Sequence, residues 1–554
     1  MTSQAKLPVL IVGGGVVGLS ASLSLSHHNI HSLLVECRPS ASIHPRARSV
    51  NARTMEVFRH LGVESLVRDA GASLSPTKGI YSGHSLREVI EAKPRTEGDR
   101  KFPLTGLLGS ISPTTGAFVT QDMLQPVLAD AARARGGEVR FSTECVSAEQ
   151  DSEGVTATLR DQESGMTETV RAAYLIAADG AKSPIRTQLD VPVTGRGTMG
   201  YLLNILFHAD LKPFVYEREF SICIVDRPEV CGLFTSINNT DRWVFHLSYD
   251  PSKGEQPSDF PPEKCKELLL LALGMPEIDI RIDSILPWEP SVRIAERLQH
   301  GRIFLAGDAA HQMPPWGGQG ANSGIADAYN LAWKLAAVLD GRAGNALLET
   351  YDVERLPAGR EAAEASASGA DERGMISVKK NFTVARGMLR KAMLTSGHGY
   401  GYTSPSICEE DTFPLGGVTW RPWTLASLFL SIDGRPGRRA PHVWVEHQGK
   451  RISTLDLSGK GCFVLLAGTD GTDWLGAAKE VSSTLGIEVA AYCAGLEGDL
   501  MTKTPGEFEL AASISSRGVI LVRPDDFVVW RQRRLPSNPR AGLERAVRQA
   551  LYLQ

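Results

Sequence analysis

The stretch Val9-Leu10-Ile11-Val12-Gly13-Gly14-Gly15-Val16-Val17-Gly18 sets the fold of the first part of the chain. Its apolar residues predict a short buried strand and then a helix, joined by a glycine-rich turn. Gly13 permits the tight turn, Gly15 lets the backbone approach a pyrophosphate, and Gly18 lets the helix pack closely on the strand. Unpaired N–H groups at the helix N-terminus favour a phosphate, so the pattern predicts a dinucleotide-binding unit.

The segment that follows this helix supports the same prediction. A second strand is predicted over residues 31–35, and Glu36 comes directly after it. An acidic residue about 20 positions past the glycines is where this kind of fold grips a ribose hydroxyl. A glycine-rich turn without a ligand lacks that context. Gly13, Gly15, Gly18 and Glu36 are therefore predicted to bind a dinucleotide cofactor.

The composition is that of a large globular enzyme. The chain has 554 residues, of which 42% are hydrophobic and 22% charged, and its net charge is -4. This length predicts about three domains, or two with insertions, and the small net charge gives no indication of binding to nucleic acid or to an anionic membrane. The densest apolar run, residues 268–273, is far shorter than the ~20 residues that span a bilayer. The apolar N-terminal stretch enters the glycine turn directly, so we interpret it as a strand rather than a signal peptide.

The eight cysteines are widely spread along the chain. None forms a CxxC pair, and no cluster of Cys and His has the spacing of a zinc site. Scattered thiols are typical of a reducing compartment. We therefore expect a cytoplasmic protein without a metal ion or a disulfide framework.

Two further motifs lie far along the chain. The first is Ala178-Asp179-Gly180-Ala181-Lys182-Ser183-Pro184-Ile185-Arg186, at the end of a predicted short strand. The second begins with Gly307-Asp308 at the end of another predicted strand, residues 302–306. It continues through a loop rich in glycine and proline, residues 312–322, to a helix predicted over 323–339. That helix N-terminus points positive potential at an anion.

Together, these motifs resemble those of the single-component FAD-dependent aromatic hydroxylases, which share the para-hydroxybenzoate hydroxylase fold. Residues 307–330 resemble the flavin loop, and Asp179-Gly180 with Arg186 resembles a motif assigned to both FAD and NADPH. The segment His44-Pro45-Arg46-Ala47, followed by Asn51, Arg53, Thr54, Glu56 and Arg59, resembles the segment beside the isoalloxazine ring. Tyr351-Asp352-Val353-Glu354-Arg355-Leu356-Pro357 matches the Y-x-x-E-R-x-P helix of the family.

The C-terminal part looks like the thioredoxin-like domain of phenol hydroxylases and polyketide aromatic hydroxylases. Gly437-Arg438-Arg439-Ala440-Pro441-His442 and Leu521-Val522-Arg523-Pro524-Asp525 carry that match. The domain lacks CxxC, so thiol–disulfide chemistry is not expected. A structural or dimer-supporting role is the preferred interpretation, and a homodimer is one expectation.

The resemblance implies the cofactors FAD and NADPH, or NADH in its place, and O2 as a co-substrate. NADPH would reduce FAD, O2 would add at flavin C4a to give a hydroperoxide, and one oxygen atom would pass to an aromatic ring. Arg46 would stabilise negative charge near the flavin, and Pro315 would shape the wall that faces the substrate. The implied cofactor-binding residues are Gly13, Gly15, Gly18, Glu36, Arg46, Gln121, Asp179, Gly180, Asp308, Gly320 and Asn322.

The substrate residues are expected on a β-sheet within residues 200–250, where the family has no shared motif. Tyr201, Asn204, Trp243 and His246 are the candidates. Asn204 and His246 could hydrogen-bond a phenol, and the histidine could help to deprotonate it. The loop-rich region 73–116 and the C-terminal domain favour a polycyclic or polyketide-derived phenol from secondary metabolism over a single ring.

We therefore predict an α/β protein with a Rossmann-like FAD-binding domain of the GR2 type, an inserted and mostly antiparallel β substrate domain, and a C-terminal thioredoxin-like α/β domain. The FAD-binding domain is expected in three parts, 1–75, 117–189 and 291–396, the last with long helices. The substrate domain is expected to comprise a loop region, 76–116, and a sheet, 190–290. Residues 397–422 are interpreted as a linker and 423–554 as the thioredoxin-like domain. Within the second FAD-binding part, residues 117–134 are predicted to be helical.

Three other functions were weighed against hydroxylation. A flavin halogenase would carry a W-x-W-x-I-P segment, which the chain lacks; Trp420-Arg421-Pro422-Trp423 does not match it. A flavoprotein of the same fold that oxidises or breaks down a large aromatic without simple hydroxylation stays open. A non-enzymatic protein that keeps FAD as a relic is disfavoured by the intact cofactor motifs.

Overall fold

The computed structural model describes residues 7–46, 48–74, 79–92, 111–371, 373–376, 397–408 and 432–553. Ala47, most of the predicted linker and residues 377–396 therefore lie outside the described residues. Three large β-sheets organise the chain, and the predicted fold class is confirmed. Within the described ranges, no helix is long and apolar enough to cross a membrane.

The strands and helices are numbered in chain order. The strands are β1 (Leu7–Val12), β2 (Ser32–Val35), β3 (Ser49–Val50), β4 (Ile80–Gly83), β5 (Ala117–Phe118), β6 (Glu138–Arg140), β7 (Thr143–Gln150), β8 (Val155–Asp161), β9 (Thr167–Ala177), β10 (Val193–Thr198), β11 (Leu202–His208), β12 (Ile222–Arg227), β13 (Val230–Ser236), β14 (Arg242–Ser248), β15 (Arg281–Trp288), β16 (Ser291–Ala295), β17 (Gln299–His300), β18 (Ile303–Leu305), β19 (His311–Gln312), β20 (Trp444–His447), β21 (Lys450–Ser453), β22 (Phe463–Ala467), β23 (Val489–Gly495), β24 (Leu500–Thr502), β25 (Val519–Val522) and β26 (Val528–Gln532). The α-helices are α1 (Val16–His27), α2 (Ala52–His60), α3 (Glu64–Ala70), α4 (Leu86–Glu91), α5 (Gln121–Ala134), α6 (Pro184–Gln188), α7 (Lys212–Val215), α8 (Pro262–Leu273), α9 (Gln319–Leu339), α10 (Thr350–Ala367), α11 (Thr472–Leu485), α12 (Glu507–Ala512) and α13 (Pro539–Leu551).

The first sheet is the predicted dinucleotide-binding sheet, with the order β17-β18-β9-β1-β2-β6 and the β7–β8 hairpin joined to β9. Its central strand β1 pairs in parallel with β2 and β9, so the segments that follow these three strands meet at one edge. Helix α1 contacts both α5 and α9. Because α1 is surrounded by the sheet and these helices, it is buried on nearly every face, as its apolar and serine-rich sequence allows.

The second sheet is mostly antiparallel, as predicted, with the order β15-β11-β14-β13-β12-β4. Only its β12–β4 pair is parallel. The loop-rich region predicted over 76–116 thus supplies an edge strand and the short helix α4 as well. One face of the sheet is covered by α4, α7 and α8, which form an aromatic core with it. The opposite face is turned towards the flavin loop.

Two of the predicted boundaries were wrong. Residues 117–118 form strand β5, which pairs with β3, and the helix begins only at Gln121. Helix α9 begins at Gln319, four residues before the predicted start. Gly318 precedes it with a φ of +64°, a left-handed conformation that glycine adopts without strain. The glycines of the loop therefore lead directly into the helix.

The C-terminal domain is built on a seven-stranded mixed sheet with the order β21-β20-β24-β23-β22-β25-β26. Helices α11 and α13 pack on one face. That core also contains Trp333 and Ala337 of α9 and Leu347, so the C-terminal domain shares apolar packing with the cofactor domain. The C-terminal domain is therefore held to the cofactor domain by a shared hydrophobic core as well as by the polypeptide chain.

We expect Gly18→Ala to destabilise the folded protein by about 1–3 kcal/mol, because overpacking shifts the backbone. A Cβ atom at position 18 would lie 1.9 Å from the carbonyl oxygen of Gly13. Thermal unfolding of both proteins without cofactor measures the effect. Gly476→Ala is the matched control, since a Cβ there meets no atom within 4 Å and alanine favours the helix. Equal losses in the two variants would contradict the packing argument.

Candidate active site

The turn between β1 and α1 leaves open space where a pyrophosphate is expected. Gly13 has a φ of +109°, and a Cβ atom there would lie 2.2 Å from the carbonyl oxygen of Ala178. A Cβ on Gly15 would meet no atom within 4 Å. Gly15 also gives α1 no side-chain cap. The first N–H groups of α1 therefore have room and unused hydrogen-bonding capacity for an anionic group.

Glu36 is held at the end of β2 by two backbone N–H groups. Gly14 N donates to its Oε2 at 2.6 Å, and Arg38 N donates to its Oε1 at 3.0 Å. A carboxylate has about four lone-pair sites, so both oxygens keep capacity for a hydroxyl. The half-buried position fixes Glu36 where a ribose would be bound.

The second and third motifs are locked to each other. Arg186 Nη1 donates to the carbonyl of Ala309 at 2.9 Å, and its Nη2 donates to the carbonyl of Ala181 at 3.0 Å. Asp179 caps α6, because Oδ1 accepts from Ser183 Oγ at 2.6 Å and Oδ2 accepts from Ile185 N at 3.1 Å. Burial raises the pKa of Asp179. The Asp179 carboxylate thus shapes its turn.

Gly180 has open space beside it, and Asp308 is exposed. Gly180 has a φ of +83°, and a Cβ there would meet no atom within 4 Å. The Asp308 side chain is accessible to solvent. Desolvation by the surrounding protein atoms nevertheless raises the pKa of the Asp308 carboxyl, and the nearby His311 and Arg46 offset part of that rise. Asp308 is therefore a partly desolvated carboxylate that solvent can still reach, and such a group can accept a hydrogen bond from a bound cofactor.

Arg46 is also accessible, and it lies close enough to Asp308 for their charges to interact. Burial among protein atoms lowers its pKa, and the neighbouring Arg38 adds to the effect. The carbonyl oxygen of Arg46 accepts from Gln121 N at 2.8 Å, so the start of α5 is tied to this segment. The half-buried Gln121 is thus brought beside Arg46.

The turn that presents Asp308 is fixed by Asp327 of α9. Asp327 Oδ2 accepts from Gly307 N at 3.1 Å and lies 2.8 Å from His311 Nε2, while Oδ1 accepts from Arg355 Nε at 2.7 Å. Its partners outweigh its burial and lower the pKa of Asp327 to about 2. The residue is therefore ionised, and it anchors the turn from behind.

The flavin loop places Pro315 and the N-terminus of α9 at the cleft. Pro315 is exposed, whereas the neighbouring Trp316 is buried and donates from Nε1 to the carbonyl of Gly374 at 3.0 Å. Helix α9 has no side-chain cap at its N-terminus, and Gly320 lies in its first turn. This helix end therefore offers backbone N–H groups to an anionic ring.

Asn322 has its side chain engaged by the protein. Its Oδ1 accepts from Asn51 N at 3.0 Å and from Thr54 Oγ1 at 2.6 Å, and its Nδ2 donates to the carbonyl of Gly318 at 2.6 Å. The side chain therefore holds α2 against the start of α9. Open space at Gly15 and Gly180, uncapped helix ends and an accessible Asp308 together fit FAD.

One face of the second sheet, opposite its aromatic core, forms the candidate substrate site, here called the substrate face. Its apolar cluster is formed by Leu202, Leu233, Trp316 and Met375, with Ile222, Ile224, Cys231, Trp288, Ala370 and Ile376 packed against it. Asn204, Thr235 and His246 add polar groups to the same face. Asn204 pairs directly with His246 across β11 and β14.

His246 is held as a neutral side chain. Its Nδ1 lies 2.6 Å from Asn204 Oδ1, and its Nε2 lies 3.2 Å from Thr235 Oγ1. Burial lowers the pKa of His246 to about 3, and the nearby His44 contributes to the shift. Because Asn204 Oδ1 accepts, Nδ1 carries the proton and Nε2 accepts from the Thr235 hydroxyl.

Trp243 and Tyr201 lie elsewhere, which corrects two of the expected substrate residues. Trp243 is fully buried in the aromatic core and donates from Nε1 to the carbonyl of Ala209 at 3.0 Å. It is three positions from His246 on one strand, and an odd separation puts side chains on opposite faces. Tyr201 precedes β11 and packs on Tyr249, which belongs to the same core.

Sequence analysis missed several residues of the substrate face. Thr235, Leu233, Trp288 and Met375 line it, yet none carries a motif. Two features of the sequence could have identified these residues: the alternation of side chains between the two faces of each strand, and the pairing of Asn204 with His246. Strand β13 is apolar on both faces, so alternation alone does not identify the exposed one.

His44 of the His-Pro-Arg segment is buried beneath this site and is only 4% exposed. Neither ring nitrogen has a hydrogen-bond partner among the described residues. Burial, with a contribution from Arg46, lowers the pKa of His44 to about 4. His44 and His246 are therefore both neutral in the folded protein at neutral pH.

No group of three or more His, Cys, Asp and Glu side chains in the described part of the chain is placed to hold a metal ion. The eight cysteines are all free.

Comparison with known proteins agrees with this geometry. Residues 6–366 match the family described as an FAD binding domain, and residues 433–551 match that described as the C-terminal part of aromatic-ring hydroxylases. The chain is 39% identical to tetracenomycin A2 monooxygenase-dioxygenase of Streptomyces glaucescens, over 99% of this chain and 97% of that protein. It is 37% identical to 4-methyl-5-nitrocatechol 5-monooxygenase of Burkholderia sp., over 99% and 98% of the two chains. The crystal structure of aklavinone-11 hydroxylase with FAD and aklavinone superposes with a TM-score of 0.85 at 36% identity, over the full length of both chains.

We expect Glu36→Ala to raise the Kd for FAD about tenfold, because it removes a charged hydrogen-bonding group worth about 1.5 kcal/mol. Quenching of FAD fluorescence on binding measures the Kd. Glu149→Ala, at an exposed position on β7, is the control and should leave the Kd unchanged. An unaltered Kd in Glu36→Ala would show that the carboxylate does not hold the cofactor.

We also expect the free energy of unfolding to fall as the pH is lowered from 7 to 5. The pKa values of His44 and His246 are lowered to about 4 and about 3 in the folded protein. Below pH 6.5 the unfolded chain therefore binds more protons than the folded protein. Each histidine then lowers the free energy of unfolding by up to about 1.4 kcal/mol per pH unit. Denaturant unfolding at several pH values measures the slope. His246→Gln should reduce it, and His31→Gln, at an exposed residue, should not; the reverse order would overturn the assignment.

Proposed function

The chain belongs to the FAD-dependent aromatic-ring hydroxylases, and on that premise we propose that it hydroxylates a polycyclic phenol bound between the flavin loop and the substrate face. It is a flavoprotein monooxygenase. When bound, FAD would supply the oxygenation chemistry: one atom of O2 would enter the ring, the other would leave as water, and NAD(P)H would provide the two electrons. The observation that carries the substrate proposal is the broad apolar substrate face with one polar group of three side chains.

The dimensions of the substrate face support a substrate of several fused rings. Its sheet residues come from five neighbouring strands, β15, β11, β14, β13 and β12, and Trp316 and Met375 from outside the sheet cover the part formed by Leu202 and Leu233. Four gaps of about 4.8 Å give a width of roughly 19 Å. The named relatives act on compounds as different as tetracenomycin A2 and 4-methyl-5-nitrocatechol. Relatedness alone therefore leaves the size of the substrate open, and the width of the apolar face favours the larger ring system.

Asn204 is the group best suited to bind the phenolic oxygen. Its Oδ1 is taken by His246, and its Nδ2 has no hydrogen-bond partner among the described residues. An amide NH2 group that faces an apolar surface can donate to a phenolate oxygen and stabilise its charge. Ring hydroxylation needs an electron-rich ring, so a hydrogen bond that favours the phenolate assists the reaction.

His246 is better suited to orienting Asn204 than to removing the phenolic proton. With its pKa lowered to about 3, its imidazole is far too weak a base to deprotonate a phenol at neutral pH. Its Nδ1–H instead fixes which end of the Asn204 amide faces the substrate. Thr235 fixes the imidazole in turn by donating to Nε2.

Arg46 and Pro315 border the same chamber from the cofactor side. Arg46 brings a positive charge to the cleft, where negative charge develops on the reduced flavin and on the phosphates of the reductant. Pro315 is rigid and exposed at the loop, so it forms a fixed wall. Trp316 beside it closes the apolar cluster and keeps water from the ring.

The test is NADPH consumption by the FAD-loaded enzyme under 18O2, with mass analysis of the product. A fused multi-ring phenol is expected to stimulate consumption and to gain one 18O atom, and 4-methyl-5-nitrocatechol should be coupled poorly. Asn204→Leu should lower kcat/KM for the multi-ring phenol about tenfold, the effect of one hydrogen bond of about 1.4 kcal/mol.

His208→Gln is the matched control for that variant, since His208 lies on the same strand but bonds to Asp283 at its outer end. Turnover without 18O in the product would instead support oxidation without hydroxylation. Tight coupling with the nitrocatechol alone would overturn the polycyclic proposal.

A further inference from the structure

Helix α2, which follows the His-Pro-Arg segment, is gripped by the C-terminal domain. Arg53 Nη1 donates to Asp526 Oδ2 at 2.7 Å, and its Nη2 donates to the carbonyl of Asp525 at 2.9 Å. One turn further on, Glu56 accepts from both guanidinium ends of Arg439, with 2.9 Å between Nε and Oε2. All these side chains are buried, so the contacts are shielded from solvent.

The contact point on the C-terminal domain is the tip of the hairpin between β25 and β26. Asp526 lies there with a φ of +73°, in the left-handed region that few residues other than glycine adopt. Its carboxylate also accepts from Ser458 Oγ at 2.5 Å and lies 3.4 Å from His60 Nδ1. The hairpin tip is thus shaped to deliver one carboxylate to α2.

The residue after Arg53 carries the contact on to the flavin loop. Thr54 Oγ1 donates to Asn322 Oδ1 at 2.6 Å, and Asn51 at the start of α2 donates to the same oxygen. Asn322 then donates to Gly318, the residue that opens α9. Polar contacts therefore run from Asp526 to Arg53 and from Thr54 through Asn322 to the N-terminus of α9, and the peptide backbone of α2 joins the two parts.

We propose that Asp526 is a positioning residue for the flavin: acting through Arg53 and α2, the C-terminal domain sets the position of the α9 N-terminus and its loop. The proposal rests on FAD binding and not on the identity of the substrate. It gives this domain, which lacks a redox pair of cysteines, an indirect part in holding the cofactor.

The charge balance explains why one carboxylate matters. In the fully buried part of the α2 contact, Arg53 and Arg439 are the arginine cations and Glu56 and Asp526 are the anions; Arg59 and Asp456 form a separate, more exposed pair. Removing Asp526 leaves two guanidinium groups to share Glu56 in a buried place, and an uncompensated buried charge drives the surrounding groups apart. The residue that moves with Arg53 is Thr54, which holds Asn322.

The variant Asp526→Asn keeps the size of the side chain and tolerates the left-handed backbone, but it removes the charge. We expect the Kd for FAD to rise at least about tenfold, since small misplacements of positioning groups have effects of that size. We also expect the absorption spectrum of the bound flavin to shift and more of the NADPH to be consumed without product. Thr54→Val, which breaks only the α2–α9 contact, should change the Kd and the spectrum in the same direction.

Asp456→Asn is the matched control. It removes another carboxylate that joins the C-terminal domain to α2. Asp456 accepts from Arg59 at 2.6 Å and 2.9 Å, and neither of these two residues contacts Asn322. In this variant the Kd for FAD should stay within about twofold of that of the original protein. The absorption spectrum of its bound flavin should not shift. The thermal stability of each protein without FAD is measured in parallel.

An Asp526→Asn protein that is less stable but binds FAD with unchanged Kd and spectrum would overturn the proposal and leave the domain a structural support. An equal loss of FAD binding in Asp456→Asn would overturn it as well. If Asp526→Asn does not fold, Arg53→Lys replaces it, because it keeps the charge and loses the forked contact; an unchanged Kd there has the same meaning. The Kd for FAD, the flavin spectrum and the thermal stability are measured without the phenol, so these three results stand apart from the test of the substrate.

Discussion

The carboxylate of Asp327 is the contact on which the cofactor cleft depends. It receives the backbone N–H of Gly307 from the strand end, the side chain of Arg355 from α10, and His311 from the turn that follows Asp308. One buried charge on α9 therefore sets the strand end, the loop and the second long helix at once. Such an ion is stable in the interior because both of its oxygens are hydrogen-bonded and Arg355 balances its charge, and this requirement makes the geometry specific.

The Tyr-x-x-Glu-Arg-x-Pro helix gains a physical explanation from the same neighbourhood. Tyr351 donates to the carbonyl of Leu305 at 2.8 Å, Glu354 accepts two hydrogen bonds from Arg523 of the C-terminal domain, and Arg355 reaches Asp327. Each motif residue thus binds a different element: the sheet, the C-terminal domain and α9. Lys334 completes the buried group at 2.9 Å from Glu354, and burial lowers its pKa to about 8. Through these contacts, Tyr351, Glu354 and Arg355 join the first sheet, the C-terminal domain and α9.

The sequence was most informative where structure is local. The glycine turn and Glu36 lie within one βαβ unit, so spacing alone predicted their arrangement. Trp243 was placed on the wrong face although β14 alternates. Trp243, Phe245 and Leu247 face the aromatic core, whereas Arg242, His246 and Ser248 lie on the other side, so the alternation of this strand already distinguished the two faces. The partners of Arg53 and Glu56 lie some 400 positions away, and no local pattern encodes such a pairing. The resemblance identified their segment correctly but not their contacts.

The interleaved order of the chain has a consequence for synthesis on the ribosome. Strand β18 completes the first sheet beside β9, and α9 covers it, so the cofactor domain is unfinished until residue 339 has emerged. The charges of Arg53 and Glu56 wait longer still, for a hairpin that ends at residue 532. Contacts of such large sequence separation are slow to form and leave apolar surface exposed meanwhile. The nascent protein therefore depends on its last-made segment to neutralise ions that were among the first to be translated.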